Sequence, residues 1–244
     1  MIWYKEERDN IVISTRIRLA RNIKKYPFPG SMTEAQTESA IGEIEDALVG
    51  GNSILAKTFN TMKISGLDEI KRGSLVEKHL ISPNLKTRAA VMISDDENMS
   101  IMMMEEDHIR LQIIKGGFCL DEAWDIAGKV DDVLEERLEY AFHKDFGYLT
   151  ACPTNAGTGL RASVMMHLPA LTMTNNIERI ISSASNLGIA VRGLYGEGSK
   201  AYGSLYQISN QITMGMSEEE LISKLKKIVE QIKGHEENMR EKLQ

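Results

Sequence analysis

Alternating apolar and polar positions predict the first strand of the chain, over Ile11–Asn22. Successive side chains of a strand point to opposite faces, so Ile17 and Leu19 take one face while Arg16 and Arg18 share the other. Two guanidinium groups on one face repel each other unless an anion lies between them. The pattern therefore indicates either an anion-binding strand or an ordinary charged strand in contact with solvent.

Apolar residues that recur at intervals of three and four predict the helices. The first helix begins at a capping box formed by Thr33 and Gln36, and we expect it to end at Gly50–Gly51. A long amphipathic helix is predicted over residues 121–142, and shorter helices are predicted over 67–76 and 176–186.

The last helix is predicted over about residues 217–240, where Ser217 and Glu220 form a second capping box. The tail from Gly234 to Gln244 is highly charged, and we expect it to fray.

Short apolar runs predict the remaining strands. Residues 89–94 and 99–104 flank a polar turn and indicate a β-hairpin, and the methionines at 102–104 indicate core filling. Strands and helices follow one another without βαβ regularity, which favours an α+β fold. Further strands are predicted over residues 105–113, 163–168, 189–191 and 205–212.

Composition limits the class of protein. With 244 residues, 42% hydrophobic and 26% charged, the chain is typical of a soluble globular protein of one large domain or two small ones. We expect it to be cytoplasmic and to avoid membranes, because we find neither a signal peptide nor an apolar run of about 18 residues. The net charge of −6 argues against nucleic-acid binding, so a basic site would be local and suited to a small anion. Cys119 and Cys152 have no disulfide-framework or metal-ligand spacing, and we expect both to be reduced thiols.

The stretch Cys152–Val164 combines a thiol, a glycine-rich turn and an arginine. Gly157 and Gly159 can adopt positive φ and allow backbone N–H groups to face an anion, and Arg161 adds a charged fork. The alternative is an ordinary glycine turn with a buried cysteine and a surface arginine.

Three carboxylates in a row, Glu105–Asp107, begin a predicted strand on which Arg110 and Gln112 share a face. Their mutual repulsion is costly unless cations offset it, which suggests a site, although an exposed acidic turn would give the same pattern. His79 is isolated in the sequence, and a lone histidine is more often structural.

Four stretches together resemble the signature blocks of the phosphagen (guanidino) kinases, in the order found in creatine and arginine kinases. The likeness is strongest to the catalytic domain of the bacterial branch of this family, which phosphorylates arginine side chains of proteins. Four spaced blocks are more specific than any one of them. The blocks are Ser14–Arg18, Glu105–Arg110, Cys152–Val164 and Arg192–Glu197.

The resemblance implies an antiparallel β-sheet flanked by helices, as in glutamine-synthetase-like catalytic domains. It implies ATP as phosphoryl donor together with Mg²⁺, and such transfer depends mainly on positioning and electrostatic stabilisation of the phosphate. Arginine forks suit that task because each can hold two oxygens. By resemblance the nucleotide site contains Ser14, Thr15, Arg16, Ile17, Arg18, His79, Arg110, Arg161, Ala162, Ser163, Val164, Met165, Arg192, Gly193, Leu194, Tyr195, Gly196 and Glu197.

The implied acceptor is an arginine guanidinium, which is a poor nucleophile until a proton is removed. Glu106 and Glu197 match the pair that binds the guanidinium, and either could be the base. Cys152 matches the family's reactive thiol. Glu105 and Asp107 are expected to hold Mg²⁺ through water, since this ion prefers oxygen ligands.

The resemblance implies that residues 1–244 form one catalytic domain, without the C-terminal domain that reads phosphoarginine in most bacterial relatives. Its substrates would be proteins bearing arginine, marked by phosphorylation for degradation or during stress. A protease or unfoldase complex, an activator protein and a second copy in a homodimer are further expected partners.

Two alternatives remain open from the residues alone. The chain could be a nucleotide- or phosphoarginine-sensing adaptor with little catalysis, or a kinase for free arginine. Glu106, Glu197 and Cys152 favour a kinase, because an adaptor needs the arginine clamp but no groups that activate an acceptor. We expect the acceptor to lie within a protein, because the helical domain that helps enclose small guanidino substrates does not precede Ser14.

Overall fold

A computed structural model describes residues 10–49, 58–193 and 202–243. Strands and helices are interspersed along the chain, as predicted. The helices are α1 (Glu34–Val49), α2 (Glu69–Glu77), α3 (Leu120–Glu135), α4 (Pro169–Met173), α5 (Ile177–Asn186) and α6 (Glu218–Leu243). The strands are β1 (Val12–Arg21), β2 (Phe59–Lys63), β3 (Ala90–Ser94), β4 (Met99–Met103), β5 (Ile109–Gly116), β6 (Phe142–His143), β7 (Gly147–Tyr148), β8 (Leu160–His167), β9 (Ile189–Gly193) and β10 (Leu205–Asn210).

Among the described residues, eight strands form one sheet in the order β2-β3-β4-β5-β1-β8-β10-β9, and β6 and β7 form a two-stranded sheet. The pairings β2–β3, β3–β4, β4–β5, β8–β10 and β9–β10 are all antiparallel. The predicted α+β class, with an antiparallel sheet and flanking helices, is confirmed.

The chain divides into two compact units. Unit 1 consists of Arg18–Ile113 and Trp124–Leu160 within the described ranges. The predicted hairpin lies in unit 1, where β3 and β4 pair with Ala90 opposite Met103. The methionines at 102–104 are buried, so their prediction as core residues is confirmed.

The start of α1 confirms the first capping box. The backbone N–H of Thr33 donates to Gln36 Oε1 at 3.0 Å, and the backbone N–H of Gln36 donates to Thr33 Oγ1 at 3.2 Å. Two N–H groups that lack partners within the helix are thereby satisfied. The predicted end of this helix at Gly50–Gly51 lies outside the described residues.

The helix predicted over residues 121–142 is too long, because α3 ends at Glu135. Leu138 is buried, so the apolar spacing continues beyond the helix end. However, the backbone N–H of Ala141 donates to the carbonyl of Asn22 at 2.7 Å, which draws this segment against the end of β1. Backbone groups that bond to another segment cannot also continue a helix.

Unit 2 contains residues 10–17, Ile114–Ala123 and the described part of Arg161–Gln244. Its helix α6 begins at the second predicted capping box, where the backbone N–H of Ser217 donates to Glu220 Oε2 at 2.8 Å. The N–H of Glu220 donates back to Ser217 Oγ at 3.2 Å. The predicted apolar stripe is buried and consists of Leu221, Leu225, Ile228 and Ile232.

The expectation that the tail frays is wrong, because α6 continues to Leu243. Glu236 is fully buried in unit 2 and accepts hydrogen bonds from the backbone N–H groups of Ala170 and Leu171, each at 3.0 Å. Arg240 Nε donates to the same carboxylate at 2.8 Å. These contacts satisfy the first N–H groups of α4 and hold the charged end of α6 in place.

Candidate active site

The first signature block lies on β1, where the predicted alternation is confirmed. Ile17 and Leu19 are buried, whereas Arg16 and Arg18 are partly exposed. Arg16 belongs to unit 2 and Arg18 to unit 1. Ser14 is buried beside them.

Thr15 is fully buried, and its hydroxyl group has a structural role in unit 2. The hydroxyl donates to the carbonyl of Gly117 at 2.7 Å and accepts the backbone N–H of Cys119 at 3.0 Å. It therefore joins β1 to the turn that precedes α3. Its assignment to the nucleotide site stays a prediction.

Strand pairing in unit 2 brings two of the predicted arginines to one face. Gln207 on β10 lies opposite Met165 on β8 and opposite Arg192 on β9, and directly paired residues share a face. Arg161 is four residues before Met165 on β8, so it lies on that face too. The same face of unit 2 therefore presents Arg161 and Arg192.

Ser163 also lies on this face, and its hydroxyl contacts the carbonyl of Arg16 at 3.5 Å. Ala162 and Val164 alternate with it and are fully buried, as is Ile17. The side chains of these three apolar residues belong to the core. The second half of the Cys152–Val164 signature block is thus a strand with one polar and one apolar face.

The acidic block forms the loop between β4 and β5 in unit 1. Met104 donates its backbone N–H to the carbonyl of His108 at 3.0 Å, which closes the loop at its base. Arg110 Nη1 lies 2.6 Å from Glu105 Oε2. One of the predicted phosphate-binding guanidinium groups is therefore already oriented by a carboxylate.

Glu106 is the exposed member of the acidic loop. Partial burial of its carboxyl group and the neighbouring charges of Asp107 and Glu105 raise the pKa of Glu106, while Arg110 acts in the opposite direction. A carboxylate with a raised pKa is a better proton acceptor. The electrostatics of the loop therefore suit Glu106 as one of the two glutamates that could be the base.

Asp107 has a different environment from the other two carboxylates. Only 4% of its surface is exposed, and its Oδ1 accepts Asn22 Nδ2 and the backbone N–H of Ala151, both at 2.7 Å. These bonds tie the acidic loop to the end of β1 and to the residue before Cys152.

The two carboxylates predicted to hold Mg²⁺, Glu105 and Asp107, already have partners in the protein. Glu105 is paired with Arg110, and Asp107 is buried against donors of the protein itself. In the ranges that the structure describes, no three or more His, Cys, Asp and Glu side chains are grouped so that they could hold a metal ion. Direct ligation of Mg²⁺ by these two carboxylates does not fit their contacts, and the predicted role through water stays a prediction.

His79 follows α2 with a φ of 60°, an unusual backbone conformation for a residue other than glycine. Gln112 Nε2 donates to its carbonyl at 2.5 Å. Because Gln112 and Arg110 share one face of β5, this bond places His79 near the face that presents Arg110.

Cys152 is partly exposed and is not in a disulfide bond. Its Sγ lies 3.0 Å from Thr154 Oγ1, and its carbonyl accepts the hydroxyl of Thr150 at 2.7 Å. The loop that carries Cys152, called the thiol loop below, is thus fixed by the hydroxyl groups of Thr150 and Thr154 on either side of the cysteine.

The glycines that follow have the predicted positive φ, 104° for Gly157 and 62° for Gly159. A Cβ on Gly159 would lie 2.5 Å from the carbonyl oxygen of Ala20 and 2.7 Å from Arg21 Nη1. Only glycine allows this close approach of the loop to β1.

Arg21 is a central residue of unit 1 that sequence reasoning did not assign. It is 2% exposed, and its Nη1 donates to the carbonyl of Thr158 at 2.9 Å, inside the glycine turn. Its Nη2 pairs with Asp131 at 2.7 Å, and the guanidinium carbon lies 3.6 Å from the centre of the Tyr148 ring. Arg21 therefore fastens the turn to α3 and to β7.

The sequence did contain a signal for this role. Arg21 is at an odd position of β1, on the same apolar face as Ile17 and Leu19. A charged residue in a buried register requires a buried partner. Tyr140, which donates to Asp131 Oδ1 at 3.0 Å, completes the cluster; burial and the Asp131 charge raise the pKa of Tyr140, which keeps its proton.

His108 was also missed as a structural residue. Its Nδ1 accepts the backbone N–H of Ile23 at 2.9 Å, and its Nε2 lies 2.9 Å from the carbonyl of Pro27. The neutral tautomer with hydrogen on Nε2 satisfies both contacts. Burial lowers the pKa of His108, although the Pro27 carbonyl and the Asp107 charge oppose this shift.

Part of the fourth signature block cannot be described. Arg192 and Gly193 end β9, whereas the predicted site residues Leu194, Tyr195, Gly196 and Glu197 lie outside the described residues. Their assignments stay predictions.

The sequence matches the ATP:guanido phosphotransferase family, C-terminal catalytic domain, over residues 40–239. The chain belongs to this family, and it is a guanidino phosphotransferase with ATP as the phosphoryl donor that the family implies. None of the described helices has the length and apolar content needed to span a bilayer.

Curated relatives that resemble the chain along nearly its whole length are named protein-arginine kinases. The chain is 51% identical over 238 residues to the protein-arginine kinase of Caldanaerobacter subterraneus subsp. tengcongensis, covering 96% of this chain and 70% of the relative. It is also 51% identical over 240 residues to the protein-arginine kinase of Clostridium acetobutylicum, covering 97% and 70%.

Solved structures of the same fold are more distant in sequence. Lombricine kinase matches with a TM-score of 0.84 and 25% identity, over 97% of this chain and 69% of that one. The substrate-free duplicated taurocyamine kinase from Schistosoma mansoni matches with a TM-score of 0.79 and 27% identity, over 91% and 33%.

Proposed function

We propose that this chain is the catalytic part of a protein-arginine kinase, which transfers the γ-phosphoryl group of ATP to arginine side chains of proteins. The observation that carries the proposal is the 51% identity, over nearly the whole chain, to relatives named protein-arginine kinase. Kinases named for small guanidino compounds share the fold at only 25–27% identity.

On the nucleotide side, the proposal rests on the arginines. Arg161 and Arg192 share one face in unit 2, and Arg110 is preoriented by Glu105 in unit 1. Planar guanidinium forks hold phosphate oxygens in pairs and stabilise the charge of the transferring group. We assign Arg16 and Arg18 to the same function because they are partly exposed and share one face of β1.

On the acceptor side, a guanidinium nitrogen attacks the γ-phosphorus of ATP. A P–N bond forms, the bond between the γ-phosphorus and the bridging oxygen breaks, and ADP leaves. The proton lost by the guanidinium goes to a carboxylate, and we assign this role to Glu106 because its raised pKa favours proton acceptance. Glu197 and Cys152 are proposed to hold the guanidinium in line.

Mg²⁺ is proposed to enter with ATP, as the companion ion of the substrate's phosphates. No protein ligand is assigned to it, since the contacts of Glu105 and Asp107 do not fit that role.

The wider setting is part of the same proposal. Phosphorylated proteins would be marked for degradation or during stress in the cytoplasm, with a protease or unfoldase complex and an activator protein as partners. A homodimer is the proposed assembly.

The test incubates the protein with ATP, Mg²⁺ and an unfolded arginine-rich protein, and measures acid-labile phosphate on that protein. A carrier whose arginines are replaced by lysine is the substrate control, and free arginine is compared at equal guanidinium concentration. We expect transfer to the arginine-containing protein and not to the lysine-replaced control, with a higher kcat/KM than for free arginine. ATP binding without transfer would favour the adaptor, and a preference for free arginine would favour a small-molecule kinase.

Enzyme variants assign the base. Glu106→Gln should abolish transfer while ATP still binds, because the amide cannot accept the proton. Glu139→Gln is the matched control, since Glu139 pairs with Lys24 in an exposed position of the same unit. Full activity of Glu106→Gln would exclude it as the base.

A further inference from the structure

One carboxylate oxygen of unit 1 joins three segments of the chain. Asp107 Oδ1 accepts both Asn22 Nδ2 and the backbone N–H of Ala151 at 2.7 Å. Asn22 follows β1, Asp107 lies in the loop between β4 and β5, and Ala151 directly precedes Cys152.

The amide of Asn22 is fully used, which fixes its orientation. Its Nδ2 donates to Asp107 and to the carbonyl of Leu149 at 3.0 Å, and its Oδ1 accepts the backbone N–H of His108 at 2.9 Å. Rotating the amide by half a turn would place donors against donors and acceptors against acceptors. Asn22 is 2% exposed, so water cannot replace these bonds.

The carboxylate charge is stabilised by these donors although the site is buried. Hydrogen bonds from N–H groups to an ionised oxygen are stronger than those between neutral groups, and they offset part of the desolvation cost. An apolar residue at this position would leave the Asn22 amide and the Ala151 N–H buried without an acceptor, so the carboxylate is what holds the three segments together.

The residues next to Asp107 and Ala151 indicate which groups this hydrogen bond holds in place. Glu106 adjoins Asp107, and Cys152 adjoins Ala151. The proposed base, Glu106, is therefore one residue from the acceptor of a single 2.7 Å hydrogen bond, and the thiol of Cys152 is one residue from its donor. The carbonyl of Cys152 is held independently by Thr150 Oγ1, so the loop has little freedom to rotate about this bond.

We propose that Asp107 is a positioning residue, which sets the placement of the Cys152 loop relative to Glu106 and is not a holder of Mg²⁺. The catalytic consequence rests on the proposed function, whereas the structural link between Asp107 and the thiol loop does not. The two are therefore tested by different measurements.

The first measurement is the rate at which iodoacetamide alkylates Cys152, without nucleotide, in a Cys119→Ser background. Asp107→Ala removes the acceptor, and we expect alkylation to become several-fold faster because the thiol loop is released. Asp107→Asn retains an acceptor oxygen in the same place and should restore most of the wild-type rate. Asp96→Ala is the matched control, because Asp96 accepts the backbone N–H of Asn98 in the β3–β4 turn, at the other end of β4 from the acidic loop.

The second measurement is phosphoryl transfer as a function of ATP and Mg²⁺. Asp107→Ala should lower kcat while the KM for ATP and the half-saturating Mg²⁺ concentration stay near their wild-type values. Asp107→Asn should recover part of kcat without any shift in the Mg²⁺ requirement. A large rise in the Mg²⁺ requirement of Asp107→Asn would overturn the proposal in favour of a metal-holding role.

Unchanged alkylation in a folded Asp107→Ala variant would also overturn it, and thermal unfolding measures whether that variant is folded. If Asp107→Ala does not fold, the isosteric Asp107→Asn variant still separates positioning from metal binding. If wild-type protein transfers no phosphate, the proposed function fails, while the alkylation rates still decide the structural link.

Discussion

Arg110 Nη1 and Glu105 Oε2 lie 2.6 Å apart at the base of the acidic loop, and both side chains are partly buried. Arg110, which is predicted to bind phosphate, is therefore already held by the carboxylate of Glu105 before any nucleotide binds. The pair keeps the guanidinium fork in one orientation, which lowers the entropy lost when a phosphate binds. Arg110 is for this reason the arginine whose geometry can be tested most directly.

Arg110→Lys keeps the charge but loses the planar fork. We expect kcat/KM for ATP to fall by roughly 10²-fold, because one well-placed donor at a developing charge is worth about 2.7–4 kcal/mol. Steady-state kinetics measure the loss. Arg72→Lys is the control, since Arg72 Nη2 donates to the carbonyl of Leu85 at 2.7 Å, outside the predicted site. Equal rates in both variants would remove Arg110 from the phosphate clamp.

Two aspartates of α3 allow a comparison of a buried and an exposed ion pair. Asp131→Asn leaves the buried charge of Arg21 without its counter-ion and should lower the free energy of unfolding by about 3–5 kcal/mol. Asp125→Asn breaks the exposed pair with Lys129 and should change it by less than about 1 kcal/mol. Urea unfolding of both variants gives the difference, and similar losses would contradict the structural role of the Arg21 cluster.

His108 should make the fold sensitive to mild acid. Its pKa is lowered below the ordinary value of 6.5 in the folded state, so the unfolded chain binds the proton more readily. The free energy of unfolding should therefore begin to fall as the pH drops below 6.5 and should continue to fall towards the folded-state pKa. Urea titrations at several pH values measure this slope.

The His108→Gln variant supplies the matching experiment. Its amide nitrogen can still donate to the Pro27 carbonyl but cannot titrate, so we expect lower stability at neutral pH and a smaller loss in acid. His143→Gln, at an exposed position, should keep the wild-type slope. An unchanged acid slope in His108→Gln would assign the sensitivity to other groups.

Gly159 and Gly215 both have positive φ but differ in their surroundings. A Cβ on Gly159 would lie 2.5 Å from the Ala20 carbonyl oxygen, whereas one on Gly215 would have no atom within 4 Å. Gly215→Ala should cost only the backbone strain, about 1–2 kcal/mol. Gly159→Ala should cost more and should also slow phosphoryl transfer, because it displaces the turn between Cys152 and Arg161. Equal stability losses would contradict the close packing against β1.

Local patterns were sufficient to predict most elements. Both capping boxes, the alternation along β1 and the β3–β4 hairpin depend on residues close in sequence, and all are found. The α3 prediction failed because the helix end is decided by bonds to Asn22, far away in the chain. Spacing alone carries no information about such distant partners.

The candidate site, like the fold, was predictable only where it depends on residues close in sequence. The family blocks singled out Glu105, Glu106 and Arg110 as candidates without any structure, but they carried no information on burial, in which the exposed Glu106 differs from the buried Asp107. That difference arises from hydrogen bonds with Asn22 and Ala151, which lie 85 and 44 residues away. The resemblance separated Glu106 from Glu105 and Asp107 by role, but the three different environments of these adjacent carboxylates depend on partners elsewhere in the chain.

The contacts of Arg240 have a consequence for the order in which the chain can assemble. Its Nη2 donates to the carbonyls of Asn10 and His167, each at 3.2 Å, so it links residues 230 positions apart. During synthesis, unit 1 has all its segments once residue 160 has emerged, whereas unit 2 lacks α6 until residue 240 follows. Until then the first N–H groups of α4 have no Glu236 to receive them. A ribosome that stalls before Glu236 would therefore hold a chain in which every segment of unit 1 is present but α4 still lacks the carboxylate that receives its first N–H groups.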